Sequence, residues 1–567
     1  MQQLLIWVHV QLAVIFCWCR AFIIKYFGWQ DLYYFPGDLN ISPVWLTRIL
    51  HQNNTLPLEV WVTDVVSENL HGNRGLGSSM TRLRITYHSP ESEDDAQRDV
   101  LASPPELLHS TTDPNIPNTN LSASSPAFPY PSTLILKTTK VTKDRMAAIL
   151  GGSCREARFY KEYKNKVPFS SSSSSEAKTS TLFSYASFTS LPCISPSLSS
   201  PSLVPRVFYE YFSSFTGDMV LLMEDLQPSA VGVNMHLGNQ IWGKPALAEH
   251  IDQTELLEAV FSVSADLHAL FWRDATLLRN SWMKTSAWYR GEDRCGWEMA
   301  MNTARRFWRQ VYSGIVGNAE RGDNANAGTV RWEPRLVNII NQSLERTSWK
   351  ALQAHLHDPH IPYTLTHGDF HAANMFLRNI CPVVSETSET PNSNDAPTPI
   401  NTTRDGTNTA EGDHPHLLST SAGTHAVFDS LTLPSIWLRS RLVWVDWSEV
   451  GPWEPCADLG QMMISDVNPS LRRACERQCV RLYWERLVEV GGVSLSDFPW
   501  ERCWSSYERA SIERWLFLLI ILAGFGLPPI AVQYFHDQVW AFVEDHASQC
   551  EAFELKAVVR VNLNPVM

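Results

Sequence analysis

Short apolar runs separated by polar turns occupy the first part of the chain, and longer stretches with helical spacing dominate the rest. Runs with the alternating or continuous apolar character of β-strands are residues 61–66, 81–87, 133–137, 206–212 and 219–226. Apolar positions at helical spacing mark residues 254–272, 282–308 and 329–356, with Thr254 as a candidate N-cap. The pattern therefore predicts a β-rich part over residues 55–225 and a larger, mainly helical part over residues 226–545.

Three stretches interrupt this pattern with Pro, Ser, Thr, Asn and acidic residues. They are residues 89–132, 169–205 and 380–441. None of them spaces apolar residues regularly enough to build a core, so we predict disordered insertions between elements. Unspliced or wrongly assigned coding sequence is an alternative origin for these stretches.

The N-terminal segment, residues 1–30, is apolar from Leu4 to Cys19 and is followed by Arg20 and Lys25. It lacks the preceding positive charge and the small terminal residues of a signal peptide. A membrane anchor through residues 4–24, a buried helix and a gene-model artefact all remain open. An anchor would leave the rest of the chain on the cytoplasmic side. A second apolar run, residues 515–527, is predicted to be a core helix.

Composition limits the classes of function. The chain has 567 residues, 44% of them hydrophobic, enough for one large core once the insertions are subtracted. Its net charge of −13 argues against a nucleic-acid surface. The 11 cysteines show no metal-type spacing and are interpreted as reduced thiols of a cytoplasmic protein.

The candidate chemistry lies in the run 366–374, Thr-His-Gly-Asp-Phe-His-Ala-Ala-Asn. Asp369 can orient a hydroxyl group and accept its proton, and Asn374 offers a neutral oxygen to Mg²⁺. Asp446 follows the apolar run 442–445, so its carboxylate is expected at a strand end as a second metal ligand. Each residue alone could be a turn cap or a core residue, but together they predict a phosphoryl-transfer site.

Further candidates lie upstream in the order that such a site needs. Lys137 ends a predicted strand and would contact the ATP phosphates, held in place by Glu156 at the start of a predicted helix. The glycine-rich turn with Gly75, Gly77 and Ser78 joins two predicted strands and could cover phosphates with its N–H groups. No helix follows these glycines, so a Rossmann or Walker-type loop is excluded. Backbone groups near Met223 and Glu224, at the end of a predicted hairpin, would face adenine.

These motifs resemble the aminoglycoside phosphotransferase and choline kinase superfamily, and within it the ecdysteroid-kinase-like branch with CHK kinase-like domains. The resemblance covers roughly residues 55–545. It implies an α+β, bilobal protein-kinase-like fold, with His367 and Asp369 in the HGDxxxxN loop and Asp446 in place of the DFG acid. In the same family, the acid that corresponds to Asp458 braces the catalytic loop.

The main hypothesis is an ATP- and Mg²⁺-dependent phosphotransferase that acts on a hydroxyl group of a small molecule. The alternative is a catalytically inactive, kinase-like scaffold or nucleotide-binding protein. Phosphorylation of proteins is disfavoured, because HGD replaces HRD and no APE segment is recognisable after Asp446. The acceptor is not specified by these motifs, since pocket shape selects it.

Overall fold

The computed structural model describes ten segments of the chain. They are residues 2–26, 41–70, 78–88, 130–139, 154–167, 202–243, 251–284, 294–320, 330–378 and 438–550. Gly75 and Gly77 lie outside the described residues, as does most of each predicted insertion.

Ten strands are described. They are β1 Trp61–Asn69, β2 Ser78–His88, β3 Thr133–Thr139, β4 Val207–Ser213, β5 Asp218–Glu224, β6 Ala230–Gly232, β7 Thr364–Thr366, β8 Met375–Arg378, β9 Leu442–Trp444 and β10 Gly451–Trp453. The first five form one antiparallel sheet in the order β1-β2-β3-β5-β4. The others form two small sheets, β10-β7 and β6-β8-β9.

Fourteen α-helices are described. They are α1 Gln2–Tyr26, α2 Pro43–Gln52, α3 Arg155–Tyr163, α4 His236–Trp242, α5 Gln253–Leu270, α6 Ala275–Arg279, α7 Ser281–Lys284, α8 Arg294–Glu320, α9 Pro334–Arg346, α10 Trp349–Leu356, α11 Cys456–Asp466, α12 Pro469–Glu489, α13 Trp500–Gly524 and α14 Pro529–Cys550. In the helical part, α5 packs against α12, and α11 packs against α13.

The five-stranded sheet is covered on both faces, and β3 shows how its sequence divides between them. Leu134 and Leu136 belong to the apolar cluster that includes α2. Ile135 points to the opposite face and joins the cluster that contains residues of α3 and the helical part. Because side chains alternate along a strand, Lys137 shares the face of Ile135 and is directed toward α3.

The two small sheets position the loops of the candidate site. The segment 367–374 connects β7 to β8, and β8 pairs with β9 through Met375 and Trp444. Asp446 follows β9 directly beyond Val445. Pairing of β10 with β7 through Gly451 and Thr366 then brings the chain after Asp446 back to the start of the same loop.

The predicted α+β fold is confirmed, with a small β-rich N-terminal lobe and a larger, mainly helical C-terminal lobe. The predicted C-terminal ends of two insertions, residues 205 and 441, lie a few residues beyond the first buried residue that follows each insertion. Leu203, within the predicted insertion 169–205, is buried, and its carbonyl oxygen accepts a hydrogen bond from the Trp444 N–H at 2.7 Å. Leu438, within the predicted insertion 380–441, is also buried. Leu203 and Leu438 each lie at the edge of a polar tract, where a few apolar residues do not form a periodic pattern.

The predicted N-cap of α5 was also wrong. Asp252, not Thr254, caps this helix, and its carboxylate accepts hydrogen bonds from the N–H groups of Thr254 and Glu255 at 2.6 and 3.1 Å. An ionised carboxylate is a stronger acceptor at a helix N-terminus than a hydroxyl group, which explains the earlier start of the helix.

Helix α1 contains the N-terminal apolar segment and lies against the β4–β5 hairpin. His9 Nε2 is 2.8 Å from the carbonyl oxygen of Phe215. Arg20 Nη2 donates to the buried Asp218 Oδ2 at 2.8 Å. Among the described helices, none has the length and apolar character needed to span a bilayer.

Candidate active site

Lys137 lies between two carboxylates on the face of the sheet that is directed toward α3. Its Nζ atom is 2.7 Å from Glu156 Oε2 and donates to Asp446 Oδ1 at 2.9 Å. The Lys137 and Glu156 residues are 5% and 1% exposed, whereas the side chain of Asp446 is 32% exposed. Burial disfavours the ammonium ion, but Asp446 and Glu156 outweigh this effect and raise the pKa of Lys137 above its usual range. The lysine is therefore charged and held at a fixed position.

Asp446 is the first residue after β9 and Val445, and its backbone is left-handed, with φ of 62° and ψ of 60°. Such a conformation costs on the order of 1 kcal/mol for a residue with a side chain, so the surroundings must enforce it. It directs the carboxylate toward Lys137. Burial would raise the pKa of Asp446, but the ammonium group of Lys137 lowers it, and the carboxylate stays ionised.

Helix α3, which carries Glu156, is docked on the loop that follows Asp446. The guanidinium group of Arg155 donates to the carbonyl oxygen of Ser448 and lies 3.5 Å from Glu449 Oε1. The ring of Phe159 stacks on Trp447 with a centroid distance of 4.2 Å. The position of Glu156 is thus coupled to the position of Asp446 through the packing of α3.

Gly368 allows the loop 367–374, which is the predicted catalytic loop, to approach the chain after β9. Its φ is +83°, and a Cβ atom at this position would lie 2.1 Å from the carbonyl oxygen of Glu449. Both the backbone conformation and the close approach require glycine here. The fixed turn places Asp369 beside the loop of Asp446.

His367 is a structural residue with a defined tautomer. Its Nε2 atom lies 2.9 Å from the carbonyl oxygen of Val445, and its Nδ1 atom accepts from the Asp369 N–H at 3.3 Å. A carbonyl oxygen can only accept, so Nε2 carries the proton. Burial lowers the pKa of His367, which keeps the ring neutral. The ring ties the catalytic loop to the residue before Asp446.

Asp458, in the first turn of α11, binds the backbone of the same loop. Its two carboxylate oxygens accept from the His367 N–H at 2.6 Å and from the Gly368 N–H at 3.0 Å. The residue is buried. Two charge-assisted hydrogen bonds therefore fix the turn that precedes Asp369.

The carboxylate of Asp369 has partners on both oxygens. Oδ1 accepts from Gln461 Nε2 at 3.0 Å. Oδ2 lies 3.4 Å from Asn374 Nδ2 and 3.5 Å from His371 Nε2. Burial opposes ionisation, but His371 and Arg514 hold the pKa of Asp369 well below its usual range. Burial would lower the pKa of His371, but Asp369 raises it to about 9, so the pair is ionised at neutral pH.

Asn374 and Asp446 are the candidate metal ligands. Asn374 Nδ2 donates to the Asp369 carbonyl oxygen at 2.9 Å, which leaves its amide oxygen as the atom that can bind a cation. The Asn374 carbonyl oxygen accepts from the Val445 N–H at 2.9 Å. This hydrogen bond joins the loop that ends at Asn374 to the residue before Asp446. One carboxylate with one amide oxygen suits Mg²⁺ when phosphate and water oxygens complete the shell.

Among the residues that the structure describes, no group of three or more His, Cys, Asp or Glu side chains is placed to hold a metal ion. Asn374 and Asp446 therefore stay a predicted pair of metal ligands, with one amide oxygen and one carboxylate to offer.

The predicted adenine contacts, Met223 and Glu224, lie at the end of β5. Met223 is buried and pairs with Ile135 on one side and Val207 on the other. The Glu224 N–H donates to the Arg206 carbonyl oxygen at 2.9 Å. These groups are engaged in the sheet, whose last β5 residue is Glu224. The chain leaves the ladder only at residues 225–227, next to the predicted positions.

Of the predicted phosphate-covering residues, Ser78 begins β2 and pairs with Thr139 of β3. Gly75 and Gly77 lie outside the described residues.

Sequence inspection missed four residues that contact the catalytic loop or its carboxylate: His371, Gln461, Asp466 and Arg514. Gln461 lies three positions after Asp458, so helical spacing from that residue could have indicated it. Arg514 is 53 positions beyond Gln461 and had no local signal.

Two comparisons with solved structures align over most of the chain. A choline kinase from Cryptosporidium parvum Iowa II aligns at 7% identity and a TM-score of 0.39, over 90% of this chain and 97% of that chain. An ethanolamine kinase from Plasmodium vivax aligns at 8% identity and a TM-score of 0.34, over 88% of each chain. No protein-family model and no curated protein matches the sequence.

Proposed function

We propose that the protein is an ATP- and Mg²⁺-dependent phosphotransferase that phosphorylates a hydroxyl group of a small molecule. The observation that carries the proposal is a continuous set of contacts that joins residues of the two lobes: Lys137, Glu156, Asp446, Asn374 and Asp369. Lys137 and Asp446 are separated by 309 positions in the sequence, yet their side chains are in direct contact, which supports the proposal.

Phosphoryl transfer depends mainly on positioning and on stabilisation of charge, because the transition state is loose. Lys137 supplies a fixed positive charge for phosphate oxygens, and Glu156 prevents it from leaving the cleft. Asn374 and Asp446 would hold Mg²⁺, which neutralises charge on the phosphates and leaves the transferring group more electrophilic.

Asp369 orients the acceptor hydroxyl group and takes its proton. With a pKa held below the usual range, this carboxylate is a weak base in the ground state. In a loose transition state the proton leaves the hydroxyl group late, so orientation contributes more than base strength. The side chain of Asp369 is 35% exposed, which allows a substrate to reach it.

The proposal is tested with purified protein, Mg-ATP and a panel of sugars, sterols, aminoglycosides and amino alcohols that includes choline and ethanolamine. We expect transfer to at least one class, and we expect Asp369→Ala to abolish it while the thermal shift produced by Mg-ATP is kept. Asp497→Ala is a matched control, since Asp497 has the same side-chain exposure of 35% and an ion pair with Arg273 outside the site. Full activity of Asp369→Ala on an identified acceptor would refute the assignment.

The scaffold alternative gives a different result in the same experiment. A scaffold would bind nucleotide and show no transfer across the whole panel. Equal thermal shifts for wild type and Asp369→Ala, with no phosphorylated product in either sample, would support it.

A further inference from the structure

One face of α11 lies along the catalytic loop and contacts it at three places. Asp458 binds the N–H groups at the start of the loop, as described above. Asp466 accepts from the Ala372 N–H near its end at 3.1 Å. Between these two backbone contacts lies Gln461, whose Nε2 atom donates to Asp369 Oδ1 at 3.0 Å. Gln461 is therefore the residue of this face that reaches the reacting carboxylate.

The orientation of the Gln461 amide is fixed from its other side by α13. Arg514 Nε donates to Gln461 Oε1 at 3.0 Å, and Arg514 Nη2 donates to the Gly368 carbonyl oxygen. A guanidinium group has donors only, so the amide oxygen must face Arg514. The amide nitrogen then has to face Asp369. Arg514 thus controls which atom of Gln461 meets the carboxylate.

The packing of α11 on α13 makes this contact possible. A Cβ atom on Gly460 would lie 1.7 Å from Ser511 Oγ, so the two helices approach closely next to Gln461. Trp515 Nε1 also donates to the Gln461 carbonyl oxygen at 3.2 Å. Gln461 and Arg514 are 3% and 6% exposed. The pair is held in a buried, closely packed contact between the two helices.

We propose that Gln461 and Arg514 are positioning residues for Asp369, acting as one relay from α13 to the carboxylate. The relay holds Oδ1 and leaves Oδ2, with its longer contacts of 3.4 and 3.5 Å, as the oxygen that faces the acceptor hydroxyl group. This role rests on the proposed phosphotransferase function. It assigns catalytic importance to two buried residues that act through Asp369.

The test uses Gln461→Glu and Arg514→Lys in the full-length protein, with Mg-ATP and the panel compound that is phosphorylated fastest. Gln461→Glu keeps the size of the side chain and an oxygen facing Arg514, but replaces the donor to Asp369 by an acceptor. Arg514→Lys keeps the charge but loses the planar fork that spans two acceptors. We expect each variant to lower kcat by about 10²-fold, with the KM for Mg-ATP changed by less than about twofold.

The double variant should have about the same kcat as either single variant, because residues that act as one unit give non-additive losses. Gln538→Glu is the matched control. Gln538 is also buried, at 5% exposure, and its Nε2 atom donates to the carbonyl oxygens of Ile464 and Val467, away from Asp369. An equal loss of kcat in Gln538→Glu, or a rise in KM with kcat unchanged in Gln461→Glu, would overturn the relay.

Crystal structures of the two variants separate failure of the relay from failure of the proposed function. If the wild-type protein phosphorylates no panel compound, the proposed function fails, but the relay can still be judged from the Asp369 carboxylate. The relay requires Oδ1 to leave its wild-type position in both variants. An unchanged carboxylate in either well-folded variant would show that Gln461 and Arg514 do not position it.

Discussion

Removal of the ammonium group of Lys137 leaves two carboxylates in the cleft, and their different burial predicts where the cost arises. Asp446 is 32% exposed in its side chain, so water can solvate it, whereas the side chain of Glu156 is 1% exposed. Deleting one partner of a buried ion pair costs about 3–5 kcal/mol. Burial raises the pKa of Glu156 to about 7 even beside Lys137, so without the lysine this carboxyl can take up a proton at neutral pH. We therefore expect Lys137→Met to lower the free energy of unfolding by about 3 kcal/mol, the lower end of that range, mainly through Glu156.

The origin of this loss can be tested by neutralising Glu156. In Lys137→Met/Glu156→Gln no buried charge remains unpaired, so most of the lost stability should return, while phosphate transfer should remain absent. Urea denaturation followed by the fluorescence of the 22 tryptophans measures both variants. Lys164→Met is a control, because the Lys164 and Glu210 side chains are 25% and 19% exposed and pair at 3.4 Å. That change should cost about 0–1 kcal/mol.

Two outcomes would refute this reasoning. If Lys137→Met were as stable as the wild type, the ion pair would contribute nothing to folding. If the double variant were no more stable than Lys137→Met, the penalty would come from a source other than the unpaired carboxylate of Glu156.

Two further predictions concern the turn before Asp369 and a buried histidine. Gly368→Ala should abolish transfer and destabilise the protein, because the new Cβ atom would lie 2.1 Å from a backbone oxygen. The control is Gly243→Ala, where φ is +59° and a Cβ atom would have no neighbour within 4 Å. This control should lower the free energy of unfolding in urea by about 1 kcal/mol. Equal losses would contradict the steric explanation. Burial opposes protonation of His546, but Glu476 and Glu508 raise its pKa. The stability that charged His546 contributes is therefore complete below the pKa that this histidine has in the unfolded chain, and it is lost as the pH rises through the pKa in the folded protein. Urea midpoints from about pH 6 to about pH 9 should therefore fall more steeply for the wild type than for His546→Gln, and parallel curves would refute the prediction.

The motif residues were accessible from the sequence because their chemistry is local. Asp369 and Asn374 lie in one short loop, and the spacing of Asp446 after an apolar run indicated a strand end. Lys137 at the end of a predicted strand, followed by Glu156 at the start of a predicted helix, was also recognisable from the sequence. The structure joins Lys137 to Glu156 and Asp446 by contacts of 2.7 and 2.9 Å, and Asn374 to the loop of Asp446 and to Asp369 by hydrogen bonds.

Other features depended on distances that no local pattern records. The engagement of the Glu224 N–H by Arg206 requires the register of β4 against β5, and the boundary at Leu203 depends on contact with Trp444. Similarly, the apolar N-terminal run is compatible with several environments. The ion pair of Arg20 with the buried Asp218 and the contact of His9 with the Phe215 carbonyl oxygen place this helix against the β4–β5 hairpin.

By itself, the sequence determined the types of reacting group, their order, and the α+β division of the chain, since these follow from residue chemistry and apolar periodicity. Tertiary structure alone decided which oxygen of Asp369 is held and by what. Gln461 and Arg514 meet because α11 and α13 touch at Gly460, a contact set by helix packing. A close contact between residues 53 positions apart leaves no periodic trace, so only the packed structure specifies it.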